Sequence, residues 1–389
     1  MKFSLKFALV LCLISLFSTF SFALAQTSSI TSVVSPTTVN LNSVYLVNNV
    51  TNTNNDLTAL DAWAVGDSGT ILHWNGNSWS SVNSPTAVNL YSVFFVNASS
   101  GWAVGGSSNN GVILNYNGSW SVWNKISFSG NASGTDTINA TLYSVTMNGT
   151  GMVGWAVGAG GIALGWNGAA WFGMTNVSSN TLRSVGMIPN SNDAWAVGDN
   201  GTILRWNATA WTNMTSPTPA NLYTIQMIND TNAWAGGGNS SSGVLINLNG
   251  ATWNVWNKIN FGGQVNSTAG YVTDSINATI NSMSFDNATS AWAVGGKGTV
   301  LYWTGTEWDG QTNVSSGVNL RGVSMVHGTS NGSTQAWAVG DTGRILAWTG
   351  TQWIPEIPII MAAPLLLSIG LVIALLRKSR LAKKTFSIK

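Results

Sequence analysis

The segment Ala-Trp-Ala-Val-Gly-Asp-Ser-Gly-Thr-Ile-Leu-His-Trp occupies residues 62–74 and contains the motif that repeats along the chain. Its core, Trp-Ala-Val-Gly, recurs throughout the sequence, once as Trp-Ala-Gly-Gly. The seven copies begin at Trp63, Trp102, Trp155, Trp195, Trp234, Trp292 and Trp337. Self-similarity at a period of this size indicates a repeat architecture.

Two further marks accompany each core. An Asn or Thr and a closing tryptophan follow it, at Trp79, Trp120, Trp171, Trp211, Trp253, Trp308 and Trp353. A short alternating segment precedes it and opens at Leu41, Leu90, Leu142, Leu182, Leu222, Ile280 and Leu320. Each unit therefore predicts four short antiparallel strands joined by Gly- and Asn-rich turns.

Seven such units predict an all-β fold, a seven-bladed β-propeller of four-stranded blades. The structural alternative is a β-solenoid, whose repeats are usually shorter than the 40 to 58 residues found here. The last unit ends at Trp353 and leaves little sequence for a fourth strand. Residues 30–36 match residues 79–85, which form a fourth strand elsewhere. We therefore expect residues 29–36 to supply the outer strand of the last blade and close the ring.

Both ends of the chain carry predicted targeting signals. Lys2 and Lys6 precede an apolar stretch that ends in small residues, the order of a secretory signal peptide over residues 1–25. Residues 357–376 form an uncharged run that is long enough, as a helix, to cross a hydrocarbon core. Residues 377–389 form a basic tail, which should stay cytoplasmic. We expect a single-pass type I membrane protein with its propeller, residues 26–353, at the cell surface.

The segment Pro-Glu-Ile-Pro at residues 355–358, followed by the apolar run and the basic tail, resembles the PEF-CTERM sorting signals of archaeosortase systems. That resemblance implies a second possibility, in which the helix is removed and the protein is attached to a lipid.

Charged residues make up 7% of the chain, against about 25% in an average globular protein. Residues 27–354 contain seven basic and twelve acidic side chains, a net charge of −5. This balance argues against nucleic-acid binding, which requires a basic patch. The single cysteine, Cys12, lies in the predicted signal peptide, so the mature protein should contain no disulfide.

Asn-x-Ser/Thr sequons are frequent in the predicted outer region. The candidate glycosylation sites are Asn49, Asn97, Asn131, Asn139, Asn176, Asn229, Asn266 and Asn287. Glycans would solvate a surface with few charges, and the pattern suits an archaeal cell-surface glycoprotein. An Asn- and Thr-rich composition also produces such sequons by chance.

The blade pattern Trp-Ala-Val-Gly, then Gly-x-Ile-Leu, then Asn-Gly-x-x-Trp is similar to propellers of the photosystem II assembly-factor and Asp-box (BNR-like) group. The likeness covers roughly residues 29–353 and implies the propeller fold. The aspartate that gives the Asp-box its name is replaced here, for example by Asn75. Photosystem assembly propellers use arginine-rich surfaces, whereas this region has four arginines, namely Arg183, Arg205, Arg321 and Arg344.

No pattern indicates a catalytic centre, a metal site or a cofactor site. Asp67, Asp199 and Asp341 are equivalent in three units, and we expect each to cap its tight turn through backbone N–H groups. His73 and His327 are not equivalent and lack the partners of a zinc site or catalytic triad. The rival interpretation is an extracellular, sialidase-like enzyme that cleaves glycans, which would require paired carboxylates.

The residue after each opening Leu or Ile should lie near the central mouth of the ring. These residues are Asn42, Tyr91, Tyr143, Arg183, Tyr223, Asn281 and Arg321. The three tyrosines and two arginines among them are candidate binding residues. The alternative is that these side chains are wedged between blades.

Units two and five carry insertions after the second strand, at residues 106–111 and 237–243, and after the fourth, at residues 124–140 and 257–278. Because strands alternate in direction, we expect these loops on one face, and insertions on one face often mark a binding surface. Further candidate binding residues lie on them: Lys125, Phe128, Lys258, Phe261 and Tyr271. The expected function is non-catalytic recognition or scaffolding, with a cell-surface protein or glycan as partner. A structural coat component is a third possibility.

Overall fold

A computed structural model describes residues 33–47, 61–130, 134–174, 177–188, 191–261, 274–311, 314, 317–327 and 334–355. Over these residues the chain forms seven sheets, each built on four antiparallel strands in sequential order. The predicted seven-bladed propeller is therefore confirmed.

The first seventeen strands form blades 1 to 4 and include the short strand β9. They are β1 Leu41–Val47, β2 Asp61–Gly66, β3 Ile71–Trp74 and β4 Trp79–Ser81 (blade 1); β5 Leu90–Asn97, β6 Ser100–Ser107, β7 Asn110–Tyr116 and β8 Trp120–Val122 (blade 2); β9 Ile126–Ser127; β10 Leu142–Met147, β11 Gly154–Gly158, β12 Ala163–Trp166 and β13 Trp171–Met174 (blade 3); and β14 Leu182–Met187, β15 Ala194–Gly198, β16 Ile203–Trp206 and β17 Trp211–Asn213 (blade 4).

Blades 5 to 7 follow the same order. Their strands are β18 Leu222–Asn229, β19 Asn232–Asn239, β20 Ser242–Asn249 and β21 Thr252–Val255 (blade 5); β22 Ile259–Asn260; β23 Ile280–Asn287, β24 Ser290–Gly295, β25 Val300–Trp303 and β26 Trp308–Gly310 (blade 6); and β27 Leu320–His327, β28 Thr334–Gly340, β29 Ile345–Trp348 and β30 Trp353–Pro355 (blade 7). One-turn 3-10 segments join the second and third strands of five blades, at Asp67–Gly69, Ala159–Gly161, Asp199–Gly201, Gly296–Gly298 and Asp341–Gly343.

The core lies between neighbouring blades, and tryptophans fill it. Trp337 of blade 7 is fully buried and packs edge-on against Trp79 of blade 1, with ring centroids 5.2 Å apart. Trp74 completes this contact at 4.8 Å. Edge-to-face packing of this kind suits aromatic quadrupoles, so these repeated tryptophans are structural residues.

A ladder of hydroxyl groups joins the inner strands of successive blades. The backbone N–H of Val145 donates to Ser92 Oγ, and the N–H of Val185 donates to Ser144 Oγ, both at 3.2 Å. The same bond recurs around the ring, and Thr224 takes the serine position in blade 5. Blade 7 has Gly322 at this position, and Ser324 instead accepts from the N–H of Leu46 in blade 1 at 3.0 Å.

The closure of the ring differs from the prediction. The fourth strand of blade 7 is β30, paired with β29 in the register Trp348↔Trp353, and residues 33–36, the described part of the predicted strand, are not in this pairing. Three residues suffice for this short outer strand, which is why the little sequence left after Trp353 can form it. Of the predicted amino-terminal strand, residues 29–32 lie outside the described residues. Val33 is buried in a cluster shared by blades 7 and 1.

The insertions after blades 2 and 5 also differ from the expected free loops. Each contributes a short strand, β9 or β22, that runs parallel to the outer strand of the following blade, β13 or β26. Blades 3 and 6 are therefore five-stranded. The ends of the insertions do meet the hairpins after the second strands, since the N–H of Gly111 donates to Ile138 O and that of Gly243 to Ile276 O.

No helix in the described part of the chain is long and apolar enough to cross a membrane. The predicted signal peptide at residues 1–25, the apolar run at residues 357–376 and the basic tail at residues 377–389 lie outside the described residues.

Candidate functional site

The seven residues predicted at the mouth line one opening at the end of the central channel, with a cavity volume of about 530 Å³. Each follows the first residue of an inner strand, at a shift in register between the first and second strands, as between Leu41 and Ser43. Bulges of this kind re-aim a side chain. The repeat therefore places one bulge residue per blade at the opening, while the apolar neighbours stay in the core.

Arg183 of blade 4 is the most constrained of these residues. Its Nε and Nη2 donate to the two carboxylate oxygens of Asp199 at 2.9 and 3.0 Å, a bidentate ion pair. Its guanidinium lies over the rings of Tyr143, at 4.9 Å, and Tyr223, at 5.8 Å. Burial is the largest single influence on the pKa of Arg183 and lowers it, but the hydrogen bond and the charge of Asp199, together with Tyr143 and Tyr223, outweigh burial, so this pKa is raised above its ordinary value.

Arg321 of blade 7 is held in a similar way on another part of the mouth. Its Nε donates to Asp341, and its Nη1 donates to Asn42 Oδ1 of blade 1 at 3.3 Å. Asn42 Nδ2 lies within hydrogen-bond distance of Asp67 Oδ1 and of Leu90 O, both at 2.9 Å. This network fixes the direction of the guanidinium and connects blades 7, 1 and 2.

The mouth has an aromatic part and a polar part. Tyr91 and Tyr143 pack with ring centroids 5.3 Å apart, next to Arg183 and Tyr223. The polar part includes Arg321 and Lys297, which is exposed. No Asp or Glu occurs among the described residues that line this opening. The charged side chains that line the opening are therefore basic, and its two arginines are paired with Asp199 and Asp341.

The role expected for the three equivalent aspartates is wrong. No side-chain cap is found at Asp67, Asp199 or Asp341; their carboxylates bind the mouth residues instead. The N–H of the left-handed turn residue is satisfied by an asparagine that enters from the next blade, as in Ser68 N–H to Asn89 Oδ1 at 2.9 Å. The carboxylates are thereby free to orient Asn42, Arg183 and Arg321.

The candidate residues on the insertions do not join the mouth. Lys125 and Phe128 flank β9, on the outer edge of blade 3, while the mouth is at the inner strand of each blade. Phe128 packs on Gly173, where an added Cβ would meet the ring at 2.1 Å, and Phe261 packs on Gly310 at the same distance. Both phenylalanines have structural roles at the outer edge.

The basic residues beside them are also constrained. Lys125 Nζ lies 5.9 Å from the ring centre of Trp123, and Lys258 Nζ lies 5.6 Å from that of Trp256. Tyr271 lies outside the described residues. The structure therefore divides the predicted binding residues into a mouth group and an edge group.

Of the candidate glycosylation asparagines, Asn97, Asn139, Asn229 and Asn287 are exposed, and the others lie outside the described residues. The side-chain oxygen of Asn97 accepts the N–H and the hydroxyl of Ser99 at 2.9 and 2.8 Å. His73 packs on Trp63, with ring centroids 4.2 Å apart, and contacts Asp61 at 2.7 Å. The side chain of His327 is outside the described set.

Sequence reasoning missed Lys297 and the hydroxyl ladder. Lys297 occupies the left-handed position of its turn, with φ of 56°, where Ser68, Asn200 and Thr342 stand in other blades. The ladder had a visible signal, because Ser or Thr follows the mouth residue in nearly every unit.

Among solved structures, the chain is similar to two propellers named YCF48. "YCF48 bound to D1 peptide" shares 16% identity at a TM-score of 0.53, over 82% of this chain and 95% of that one. YCF48 from Cyanidioschyzon merolae shares 17% identity at a TM-score of 0.54, over 80% and 96%. The RRP9 WD40 repeats share 11% identity at a TM-score of 0.54, over 78% and 88%.

No protein-family model and no curated protein matches the chain. At these identities the structural likenesses establish the fold alone, a propeller like those of the two YCF48 structures.

Proposed function

We propose that this protein is a non-catalytic recognition propeller of the cell surface that binds a polypeptide segment at its central mouth. The observation that carries the proposal is the arrangement of Arg183, which is fixed by Asp199 and stacked between two tyrosines at the rim of an open cavity. Arginine and tyrosine dominate protein-binding hot spots because they combine contact area with directed donors. A pre-oriented side chain also loses little entropy when a partner binds.

The structural neighbours support a polypeptide as the partner. One of them is described in complex with the D1 peptide, so a propeller of this shape can bind a peptide. The likeness covers the fold alone. The ligand of this chain therefore has to be inferred from its own mouth residues.

The carboxylates of the mouth support a binding role over glycan cleavage. A glycosidase needs two carboxyl groups on either side of the scissile bond. Here Asp67, Asp199 and Asp341 do not line the opening and are bonded to Asn42, Arg183 and Arg321. These carboxylates orient the residues that form the recognition surface.

The test is a selection of peptides from a random display library with the full chain in detergent, followed by titration calorimetry of the best binder. We expect Arg183→Ala to weaken binding at least about tenfold, which corresponds to about 1.4 kcal/mol. Arg205→Ala is the matched control, because Arg205 lies on the same blade, pairs with Asp193 at 3.1 Å and does not line the mouth.

Equal losses in the two variants, or none in either, would contradict the assignment of the mouth. A glycan array run in parallel decides between a peptide and a sugar ligand. Binding of glycans that depends on Arg183, without peptide binding, would replace the polypeptide in the proposal with a glycan.

A further inference from the structure

The outer edge of blade 7 is assembled differently from the corresponding edges of blades 1 and 4. In those two blades the chain leaves the fourth strand and turns directly towards the next inner strand. The turn is closed by Ser84 Oγ donating to Thr86 O at 3.0 Å in blade 1, and by Ser216 Oγ donating to Thr218 O at 2.9 Å in blade 4.

In blade 7 the amino-terminal segment occupies that position. Ser35 Oγ donates to Thr37 O at 3.0 Å. A Cβ added to Gly343 would lie 2.0 Å from Thr37 O, as one added to Gly69 would lie 2.0 Å from Thr86 O. Residues 33–37 thus take the path that follows the fourth strand in blades 1 and 4, and the described chain reaches its last residue, Pro355, at this outer edge.

The sequence that follows limits how far the edge can stand from a membrane. One residue, Glu356, separates Pro355 from the apolar run at residues 357–376. Two residues of extended chain span about 7 Å. If the run crosses a bilayer, as its length predicts, the outer edge of blade 7 lies within about one nanometre of the lipid.

The chemistry of this edge fits such a position. Blade 6 has Thr-Gly-Thr-Glu-Trp-Asp-Gly at residues 304–310, and blade 7 has Thr-Gly-Thr-Gln-Trp-Ile-Pro at residues 349–355. The acidic residues Glu307 and Asp309 are peculiar to blade 6, and blade 7, like blades 1 to 5, is uncharged over the corresponding turn and outer strand. Val34, at the same edge, is 40% exposed. A carboxylate would lose hydration against a bilayer, whereas an uncharged edge does not.

We infer that the propeller rests on the lipid surface by the outer edge of blade 7, formed by residues 349–355 and Val34, with the mouth opening parallel to the membrane. The inference rests on the predicted membrane segment and is independent of what the mouth binds. It leaves the mouth open to partners that approach along the surface.

The repeat supplies matched positions for the test. Thr351, Asn77 and Thr209 are exposed and occupy the same turn in blades 7, 1 and 4. Each is replaced by cysteine in the full chain with Cys12→Ser, labelled with the fluorophore NBD, and reconstituted in phosphatidylcholine vesicles that carry a TEMPO nitroxide on the headgroup.

We expect the Thr351→Cys label to lose most of its fluorescence, the Asn77→Cys label to lose less, and the Thr209→Cys label to keep it. Equal quenching at all three positions, or the strongest quenching at residue 209, would overturn the inference. So would a chain that fails to float with the vesicles. Circular dichroism of each labelled variant before reconstitution ensures that folded propellers are compared. Peptide binding at the mouth can succeed or fail in any of these cases.

Discussion

The mouth of the propeller and the outer edges of blades 3 and 6 look alike in sequence and differ in the structure. Both combine basic and aromatic residues, Arg183 with Tyr143 at the mouth and Lys125 with Phe128 at the edge. At the mouth, bulges turn the side chains towards an opening of about 530 Å³. At the edge, the phenylalanine fills the space above a glycine and the adjacent isoleucine is buried. A long insertion can therefore contribute to the edge of a blade as well as to a loop.

The difference has a physical cause. An insertion that follows an outer strand can lower its free energy by pairing with the free edge of the next blade, because that edge has unpaired N–H groups. The N–H of Trp171 donates to Lys125 O at 3.1 Å, and that of Trp308 donates to Lys258 O at 3.1 Å. A bulge residue on an inner strand has no such edge available, and its side chain projects into the opening.

The largest expected effect concerns the buried residue of the edge. Ile126 is 6% exposed, so Ile126→Ala should lower the free energy of unfolding by about 2–5 kcal/mol, through lost burial and the cavity that remains. Denaturant unfolding followed by tryptophan fluorescence measures it. Val122→Ala, at a side chain that is 50% exposed, should change stability by less than about 0.5 kcal/mol. Similar effects of both would mean that the insertion is a loose loop.

A second effect tests the fit of Phe128 on Gly173. Gly173→Ala should destabilise by about 1–3 kcal/mol, because the new methyl group would overlap the ring. In Phe128→Ala the same substitution should cost much less, and a double-mutant cycle gives the coupling. Gly310 and Phe261 provide the second copy of the experiment. The absence of coupling in both copies would contradict the packing described for the edge.

A smaller effect concerns the ladder that holds the mouth together. Ser144→Ala removes the acceptor of the Val185 N–H and should cost about 1 kcal/mol. Amide hydrogen exchange at Val185 should accelerate in this variant. Ser80→Ala, at an exposed position of blade 1, is the control and should leave exchange in the inner strands unchanged. Unaltered protection of Val185 would show that the hydroxyl contributes little.

The smallest effect on stability is expected at the mouth. Arg183 and Asp199 side chains are 30% and 23% exposed, and partly exposed ion pairs contribute less than about 1 kcal/mol. Arg183→Ala and Arg205→Ala should therefore unfold at nearly the same denaturant concentration, although we expect only the first to lose peptide binding. A large loss of stability in Arg183→Ala would contradict a role in recognition and would indicate that Arg183 has a structural role.

Much of the fold could be predicted from the sequence, because the residues that recur in each unit coincide with the starts of strands. The opening leucines begin the inner strands, and most closing tryptophans begin the outer ones, as Leu90 and Trp120 do. At the ring closure, two segments of similar pattern, residues 29–36 and residues 353–355, were candidates for one outer strand. Only the paired register of Trp348 and Trp353 shows which of them forms the strand.

The sequence predicted which residues lie at the candidate site. It did not predict which side chains hold them in place. The spacing from each opening residue identified the seven mouth positions, since a repeat places equivalent residues at equivalent heights. The partner of Arg183 is 16 residues away in its own blade, and one partner of Arg321, Asn42, is 279 residues away. Local turn rules assigned Asp199 and Asp341 to the backbone. Such rules consider only neighbouring residues, so they do not predict a bond to an arginine or an asparagine on another strand.

The sequence by itself determined the number of blades, the strands within them and the residues that face the centre. These depend on local periodicity and on tryptophans that recur at fixed spacing. The tertiary structure alone decided which insertions became strands, which carboxylates hold the arginines and how residues 33–37 join the outer edge of blade 7. Those outcomes depend on contacts between residues far apart in the chain, where unpaired edges and buried charges find partners only after the ring has closed.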